Sequence, residues 1–498
     1  MKRILLFVFC ACCTITYAQI VSPGTGITLT FNDLLYDPSG AVTSSQPGVY
    51  EVHQNLTLAA NDTLLLDAAT MEIYMDAELS IQVHGCVRCA SRDDKLIVSG
   101  VTTDASSTLF ELRFEDADVS ILSNLLVEYC QQILVSNSPI TFDNCEFRYF
   151  NSQVIKYMNC NPIIRNCYFH DNQSAAVNSG VNVMGSPIIR NNQFYHNVLS
   201  NVNQPQLNLG PGSVNDTIFI EDNTIVGCSS MSGGIVIANL MNVGNTKAVI
   251  RGNVIENNRY GYNQQGNNIY SIIEDNIFRD NNLETNPMNG GSGISIYGSD
   301  ETCAAKLRRN IITGNLWGVT AIYYHSVDMG TAEDYGYNCI YDNGNGGEEY
   351  DLYNNANSNL AAIGNYWGED TESYAESVIF HQPDQANLGL VSYSPVVTLA
   401  SEQLPCYVQD STQTAVSANH ENLSLVIYPN PASSSCYISA SEPILQLVVY
   451  NMLGQILLCK NGEGKDHATL SLETLPKGIY LLEVRTMKGI VTKKLQVK

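Results

Sequence analysis

Ten times between residues 124 and 365 an Asn, or twice a Cys, stands two residues before a bulky apolar side chain. The series runs Asn124-x-Leu126, Cys145-x-Phe147, Cys167-x-Phe169, Asn192-x-Phe194, Asn223-x-Ile225, Asn253-x-Ile255, Asn276-x-Phe278, Asn310-x-Ile312, Asn338-x-Ile340 and Asn365-x-Trp367. Successive members lie 21, 22, 25, 31, 30, 23, 34, 28 and 27 residues apart. A nearly fixed minimum with variable additions is how a coiled array with loop insertions is spaced, so the chain is expected to be a solenoid.

Two further columns support this. An aliphatic residue sits three positions before the Asn or Cys, at Ile164, Ile189, Ile220, Ile250, Ile273 and Leu307. A second Asn follows three positions after the bulky residue, at Asn172, Asn197, Asn258, Asn281, Asn315 and Asn343, with Phe150 and Cys228 as exceptions. Short alternating runs such as Gly234-Ile235-Val236-Ile237, separated by Asn, Asp and Gly, indicate strands and turns rather than helices. A unit this short cannot bury its own apolar face and must stack on its neighbours, rising about 4.8 Å per rung. Asn192, Asn223, Asn253, Asn276, Asn310, Asn338 and Asn365 then form an interior ladder. Its amides are expected to tolerate left-handed angles at a bend and to satisfy buried backbone groups.

Two positions before the Asn or Cys the chain carries Arg165, Arg190, Glu221, Arg251, Glu274 and Arg308. Stacking places Glu221 and Glu274 each between two arginines, which reads as surface charge pairing.

These repeats resemble the right-handed parallel β-helix family of pectate-lyase-like proteins over about residues 45–398. The runs at Val49-Tyr50-Glu51-Val52, Leu64-Leu65-Leu66 and Met71-Glu72-Ile73 look like irregular first rungs reaching to about residue 120, with regular rungs over about 121–370. Asn365-Tyr366-Trp367-Gly368 is similar to a closing rung. The expected fold is all-β: a parallel β-helix over 19–398, a linker over 399–422 and a small β-sandwich over 423–498. The family hosts lyases, hydrolases, adhesins and scaffolds, so the fold alone does not assign a function.

Lys2 and Arg3, an apolar stretch from Ile4 to Cys13, and Thr16-Tyr17-Ala18 before Gln19 read as a signal peptide over 1–18, cut between Ala18 and Gln19. Lipoprotein cleavage at Cys12 is the competing reading. No other apolar run is long enough to span a membrane, so the mature chain is expected to lack a transmembrane segment. The net charge is −24. With +2 from the leader and +3 from residues 423–498 set aside, the remainder carries −29, which disfavours nucleic acid as a partner. Twelve of the 15 cysteines lie beyond the leader. Cys145 and Cys167 share a column at disulfide-compatible spacing, but stacked free thiols are the preferred reading. Cys86-x-x-Cys89 has no second paired motif and does not indicate zinc.

Residues 409–422 are polar and linker-like, and from Leu423 the chain reads as seven short strands. Four motifs occur there in order: Tyr428-Pro429-Asn430-Pro431, Val448-Val449-Tyr450-Asn451-Met452-Leu453-Gly454-Gln455, Leu475-Pro476-Lys477-Gly478-Ile479-Tyr480, and Lys493-Lys494-Leu495. This module is similar to the type A C-terminal sorting domain of the type IX secretion system. The resemblance implies partners in a type IX translocon and a sortase-like protease, with a cut shortly before Tyr428. It also implies secretion to, or attachment at, the outer surface of a Gram-negative bacterium of the Bacteroidota. Pro429 and Pro431 are expected to set extended geometry, and Gly454 and Gly478 to permit tight turns.

The tripeptides used by polygalacturonases are absent, and no cofactor is indicated beyond possible calcium. Acidic pairs at Asp300-Glu301, Glu333-Asp334, Glu348-Glu349 and Glu369-Asp370 read by default as a solvated rim, with flanking a glycosidic bond as acid and base or binding calcium as the alternatives, and His325, after Tyr323-Tyr324, reads as a structural histidine before a catalytic one. The insertions at 201–212, 239–247 and 284–291 are expected to project from the stack and carry recognition. A glycan- or matrix-binding surface protein is the preferred reading; a polysaccharide lyase or glycoside hydrolase is the alternative.

Overall fold

The computed structural model describes residues 19–103, 108–407, 425–450, 456–462, 465–472, 475–486 and 489–498. They divide near residue 408 into two units. The signal segment, residues 408–424 and Gly454 lie outside the described residues.

In the first unit each regular rung supplies three short strands, as in Ile155–Met158, Ile163–Arg165 and Tyr168–His170. Two of the three join a 26-stranded sheet and the third builds a 13-stranded sheet. Pairing between rungs is parallel throughout; the single antiparallel pair of the smaller sheet is the entry hairpin, Val42–Gln46 with Val49–Val52. The aliphatic column is continuous and fully buried: Ile164, Ile189, Ile220, Ile250, Ile273 and Leu307 are in register. On the facing sheet Phe147, Phe169 and Phe194 stack with ring centroids 4.8 and 4.9 Å apart. Parallel in-register strands bring like side chains together, which is why a simple sequence period suffices to build the core.

The interior ladder forms as expected over seven rungs. Asn223 Oδ1 accepts both the backbone N–H and the side-chain Nδ2 of Asn192, at 2.9 and 3.0 Å. The same pair of bonds repeats from Asn223 to Asn253, Asn276, Asn310, Asn338 and Asn365. Each Nδ2 also reaches a carbonyl of the preceding rung, such as Ile164 O from Asn192 and Ile250 O from Asn276. Cys145 and Cys167 begin the column as free thiols.

The left-handed residue of each bend is not the ladder Asn but the residue before it: Asn144, Asn166, Asn191, Asp222, Gly252, Asp275 and Arg309 all have φ between 52° and 67°. The same register corrects the first member of the series. Leu125 pairs upward with Leu96, and Leu126 aligns with Glu146, so Asn124 stacks on Asn144 at the bend, one residue out of the ladder.

The second Asn column has a repair that the repeat spacing did not show. Where Cys228 interrupts it, Asn197 Nδ2 donates to Gln206 Oε1 at 2.9 Å and Gln206 Nε2 donates to Asn258 Oδ1 at 3.1 Å. Gln206 lies in the insertion expected to project. Instead Gln204–Leu209 is a strand of the large sheet, because the alternating Leu207 and Leu209 bury their side chains. Likewise, of 239–247 only residues 240–245 leave the strands, with Leu240 and Met241 exposed. Residues 284–291 are outside any strand, as expected.

Glu221 lies between Arg190 and Arg251. Glu274 pairs with Arg251 and, at 3.2 Å, with Arg309 rather than Arg308. Arg308 is buried and turned to Asp328 and Asp334 at 2.8 and 2.9 Å.

The linker begins later than residue 399. Leu404 packs with Cys339, Tyr366 and Val397, and Cys406 forms a disulfide with Cys339, Cα atoms 6.2 Å apart. Residues 399–407 therefore close the end of the coil.

The second unit is a small β-sandwich of a three-stranded and a four-stranded sheet, Leu425–Tyr428, Ser435–Ala440 and His467–Ser471 against Ile444–Tyr450, Ile456–Asn461, Gly478–Thr486 and Gly489–Val497. Its core is Leu425, Ile438, Leu447, Val449, Leu482, Val484 and Leu495 among others.

Candidate binding groove and sorting module

Strand alternation turns every second side chain of the large sheet outward. In strand Tyr262–Gly266, Tyr262 and Gln264 are buried while Asn263 and Gln265 face out. Register then builds two rows over four rungs: Asn263, Ser295, Thr320 and Tyr353 in one, Gln265, Tyr297, Ile322 and Asn355 in the other. Three rung steps make each row about 14 Å long.

Walls complete a groove of about 390 Å³ over these rows, a volume in the range of small-ligand sites. On one side Trp317 packs on Tyr350 and Tyr353 with centroids 4.8 and 5.2 Å apart, and Tyr353 stacks on Phe380 at 4.8 Å. Trp317 Nε1 donates to Pro287 O at 2.9 Å, which ties the 284–291 insertion to the groove edge. Arg259 donates from Nε to Asn289 O at 2.7 Å and from Nη1 to Asn203 Oδ1 at 2.6 Å, joining two insertions. Among the described residues lining the groove, Arg259 is the one charged side chain. The lining is thus aromatic and amide-rich, able to stack on a ring and exchange hydrogen bonds with hydroxyls, and it presents no carboxylate pair for general acid and base work.

The acidic candidates lie elsewhere and are not brought together. Asp300 and Glu301 occupy an irregularity between Ser299 and Ala304, where Asp300 Oδ1 accepts from Thr302 N at 2.9 Å. Glu333 is exposed in a turn. Asp334 pairs with Arg308 and, at 2.8 Å, with Lys306; the Arg308 and Lys306 hydrogen bonds hold its carboxyl down to about 2. His325 is buried, its Nε2 3.1 Å from Asn354 Oδ1, and burial pushes its pKa down. Glu348 and Glu349 form one arm of a two-residue-strand hairpin, and Asp370 accepts from Leu399 N at 2.7 Å. Asn343 is a member of the second ladder. Among the described residues no group of three or more His, Cys, Asp or Glu is arranged to hold a metal ion. Tyr297, Trp317, Tyr353 and Arg259 escaped the sequence reading because only strand register aligns them; the nearby insertion at 284–291 was the available signal.

In the sorting module, Asn430 acts as a surrogate strand residue. Its Oδ1 accepts from Gln496 N at 2.9 Å and its Nδ2 donates to Lys494 O at 2.7 Å, while Ala432 N donates to Gln496 O at 2.8 Å. Pro429 and Pro431 therefore flank a clamp on the last strand, in the turn after Leu425–Tyr428, rather than an extended lead-in. Tyr428 is exposed, and Tyr480 is buried with its hydroxyl donating to Pro476 O at 2.6 Å. Lys493 Nζ donates to Leu425 O at 2.6 Å, and Lys494 is exposed. Gly478 is the first residue of a strand, not a left-handed turn position, and the nearest atoms a Cβ there would meet are those of the Tyr480 ring, at ordinary distance.

Comparison with known families agrees with this architecture. Residues 103–264 match the right handed beta helix region, residues 213–372 match a family described as a protein of unknown function (DUF1565), and residues 426–498 match the secretion system C-terminal sorting domain. No curated protein matches the sequence. Among solved structures, the chain is similar to the periplasmic alginate epimerase AlgG, with 12% identity, 74% of this chain and 84% of that chain covered, and a TM-score of 0.47. It is also similar to the tailspike protein of E. coli bacteriophage HK620, solved in complex with pentasaccharide, with 10% identity, 94% and 92% coverage and a TM-score of 0.36. Among the described residues no helix is long and apolar enough to cross a membrane. The coil, its interior ladders and the family matches together make this chain a pectate-lyase-like right-handed parallel β-helix protein with a type IX secretion C-terminal sorting domain, and hence an exported one.

Proposed function

We propose that the chain is a glycan-binding surface protein that seats an oligosaccharide in the groove over Asn263, Ser295, Tyr297 and Tyr353. The observation that carries this reading is the groove lining: two outward rows of amide, hydroxyl and aromatic side chains beside Trp317, without a carboxylate. Amides and hydroxyls on a rigid sheet match the hydroxyl pattern of a sugar, and the aromatic wall offers its ring face. The sorting module delivers the body to the outside of a Gram-negative cell, where a sortase-like protease removes the module and leaves the body at the outer surface.

The mature full chain is to be applied to a glycan panel, with product release followed on the same glycans with and without calcium. Binding that is lost in Trp317→Ala or Tyr353→Ala, without new reducing ends or unsaturated products, is the expected result. Turnover of any glycan, or binding indifferent to both substitutions, overturns the reading.

A further inference from the structure

Tyr323 has a left-handed backbone, φ 65°, inside the long strand Trp317–Asp328. That conformation is unfavourable for a bulky L-residue, and a glycine would adopt it freely. The two preceding rungs carry glycine at this column, and of these Gly266 shares the left-handed angle while Gly298 does not. Gly298 pairs with Tyr323, and Gly266, with φ 98°, follows the Gln265–Tyr297 pair one rung earlier. The tyrosine is not compensated by burial: its side chain is 62% exposed. What the conformation achieves is placement. The Tyr323 ring meets the Tyr297 ring edge-on, centroids 5.0 Å apart, and Tyr297, itself 42% exposed, lines the groove.

We propose that Tyr297 and Tyr323 form an outer subsite that continues the groove and takes a further sugar ring of the same oligosaccharide. Strain held at an exposed side chain beside a binding cleft is the mark of a residue positioned for a ligand rather than for the core. The two rings at right angles give one face to stack on and one edge to border it. This rests on the groove being a glycan site, and it specifies that the ligand is longer than the groove itself.

The test uses the mature full chain, the shortest and longest oligosaccharides of whichever series the panel shows to bind, and the variants Tyr323→Gly, Tyr323→Phe and Tyr353→Ala. Tyr323→Gly is expected to weaken the long oligosaccharide about tenfold, to leave the short one unchanged, and to hold or raise the melting temperature because the backbone strain is relieved. Tyr323→Phe keeps the ring and is expected to stay within about threefold of the parent. Unchanged binding of the long oligosaccharide by Tyr323→Gly, while Tyr353→Ala still weakens it, overturns the outer subsite and leaves the groove standing. A lowered melting temperature in Tyr323→Gly shows a ring that serves the fold and also overturns the subsite. Absence of binding to every glycan removes the groove reading and this subsite together.

Discussion

Asn253 Oδ1 accepts the backbone N–H and the side-chain Nδ2 of Asn223, at 3.0 and 2.9 Å, so one amide oxygen satisfies two interior donors of the neighbouring rung. Asn253 in turn donates to Asn276 Oδ1 and to Ile220 O. Replacement by Leu is nearly isosteric yet strands donors and acceptors on both sides. Each stranded group costs about 1 to 3 kcal/mol, so Asn253→Leu is expected to destabilise the coil by at least about 3 kcal/mol in denaturant melts. A change below about 1 kcal/mol would mean that the ladder is incidental to stability.

The Cys339–Cys406 disulfide closes a separation of 67 residues and holds the final turn against the coil. Chain entropy for a loop of that length gives a stabilisation of about 4 kcal/mol. Cys406→Ser is expected to lower the melting temperature of the body and to open residues 399–407 to protease. Treatment of the parent with reductant should reproduce both effects, and have none on the variant.

Asp351 terminates the second ladder, with Oδ1 accepting from Asn343 Nδ2 at 2.9 Å and no partner for Oδ2 among the described residues. Burial pushes its carboxyl from 3.8 up to about 8, against the opposing hydrogen bonds from Asn343. A raised folded-state pKa means that the folded chain keeps a proton that the unfolded chain releases. This stabilisation is complete below about 3.8 and is lost as the pH rises through about 8, with a slope of about 1.4 kcal/mol per pH unit inside that window. Asp351→Asn keeps the Oδ1 acceptor without a titrating proton. Melts across the window should therefore be flatter for the variant, and its stability should exceed that of the parent at the alkaline end.

Asn430 holds the last strand of the sorting module through Gln496 N and Lys494 O. Asn430→Ala removes both bonds at an exposed edge and is expected to cost the module about 1 to 2 kcal/mol, seen as faster hydrogen exchange at the Gln496 amide, whose N–H loses its acceptor. Unchanged exchange there would assign the motif to recognition alone.

The architecture was legible because parallel stacking copies side chains from rung to rung. A column that must be apolar, or must be an amide, leaves its period in the chain, and Asn192 to Asn365 are all found where that period puts them. Reading failed where a column shifted by one residue, at Asn124, since only pairing with Asn144 distinguishes the bend from the ladder. It failed again where a residue from another strand filled a gap: nothing next to Cys228 announces that Gln206 replaces the missing amide. The acidic pairs drew attention because carboxylates are conspicuous in sequence. Asp334 proves to neutralise Arg308 and Lys306, and His325 faces Asn354 inside the coil.

The sequence by itself determined the parallel coil, its amide ladders, and the sorting module with its export route, because each rests on local patterns repeated or ordered along the chain. Tertiary structure decided the groove, the closing disulfide, and the placement of Tyr323 against Tyr297. Those depend on the rung-to-rung register that aligns residues about 30 apart, and on which direction each side chain takes from the strand. Neither is written in the neighbours of any one residue.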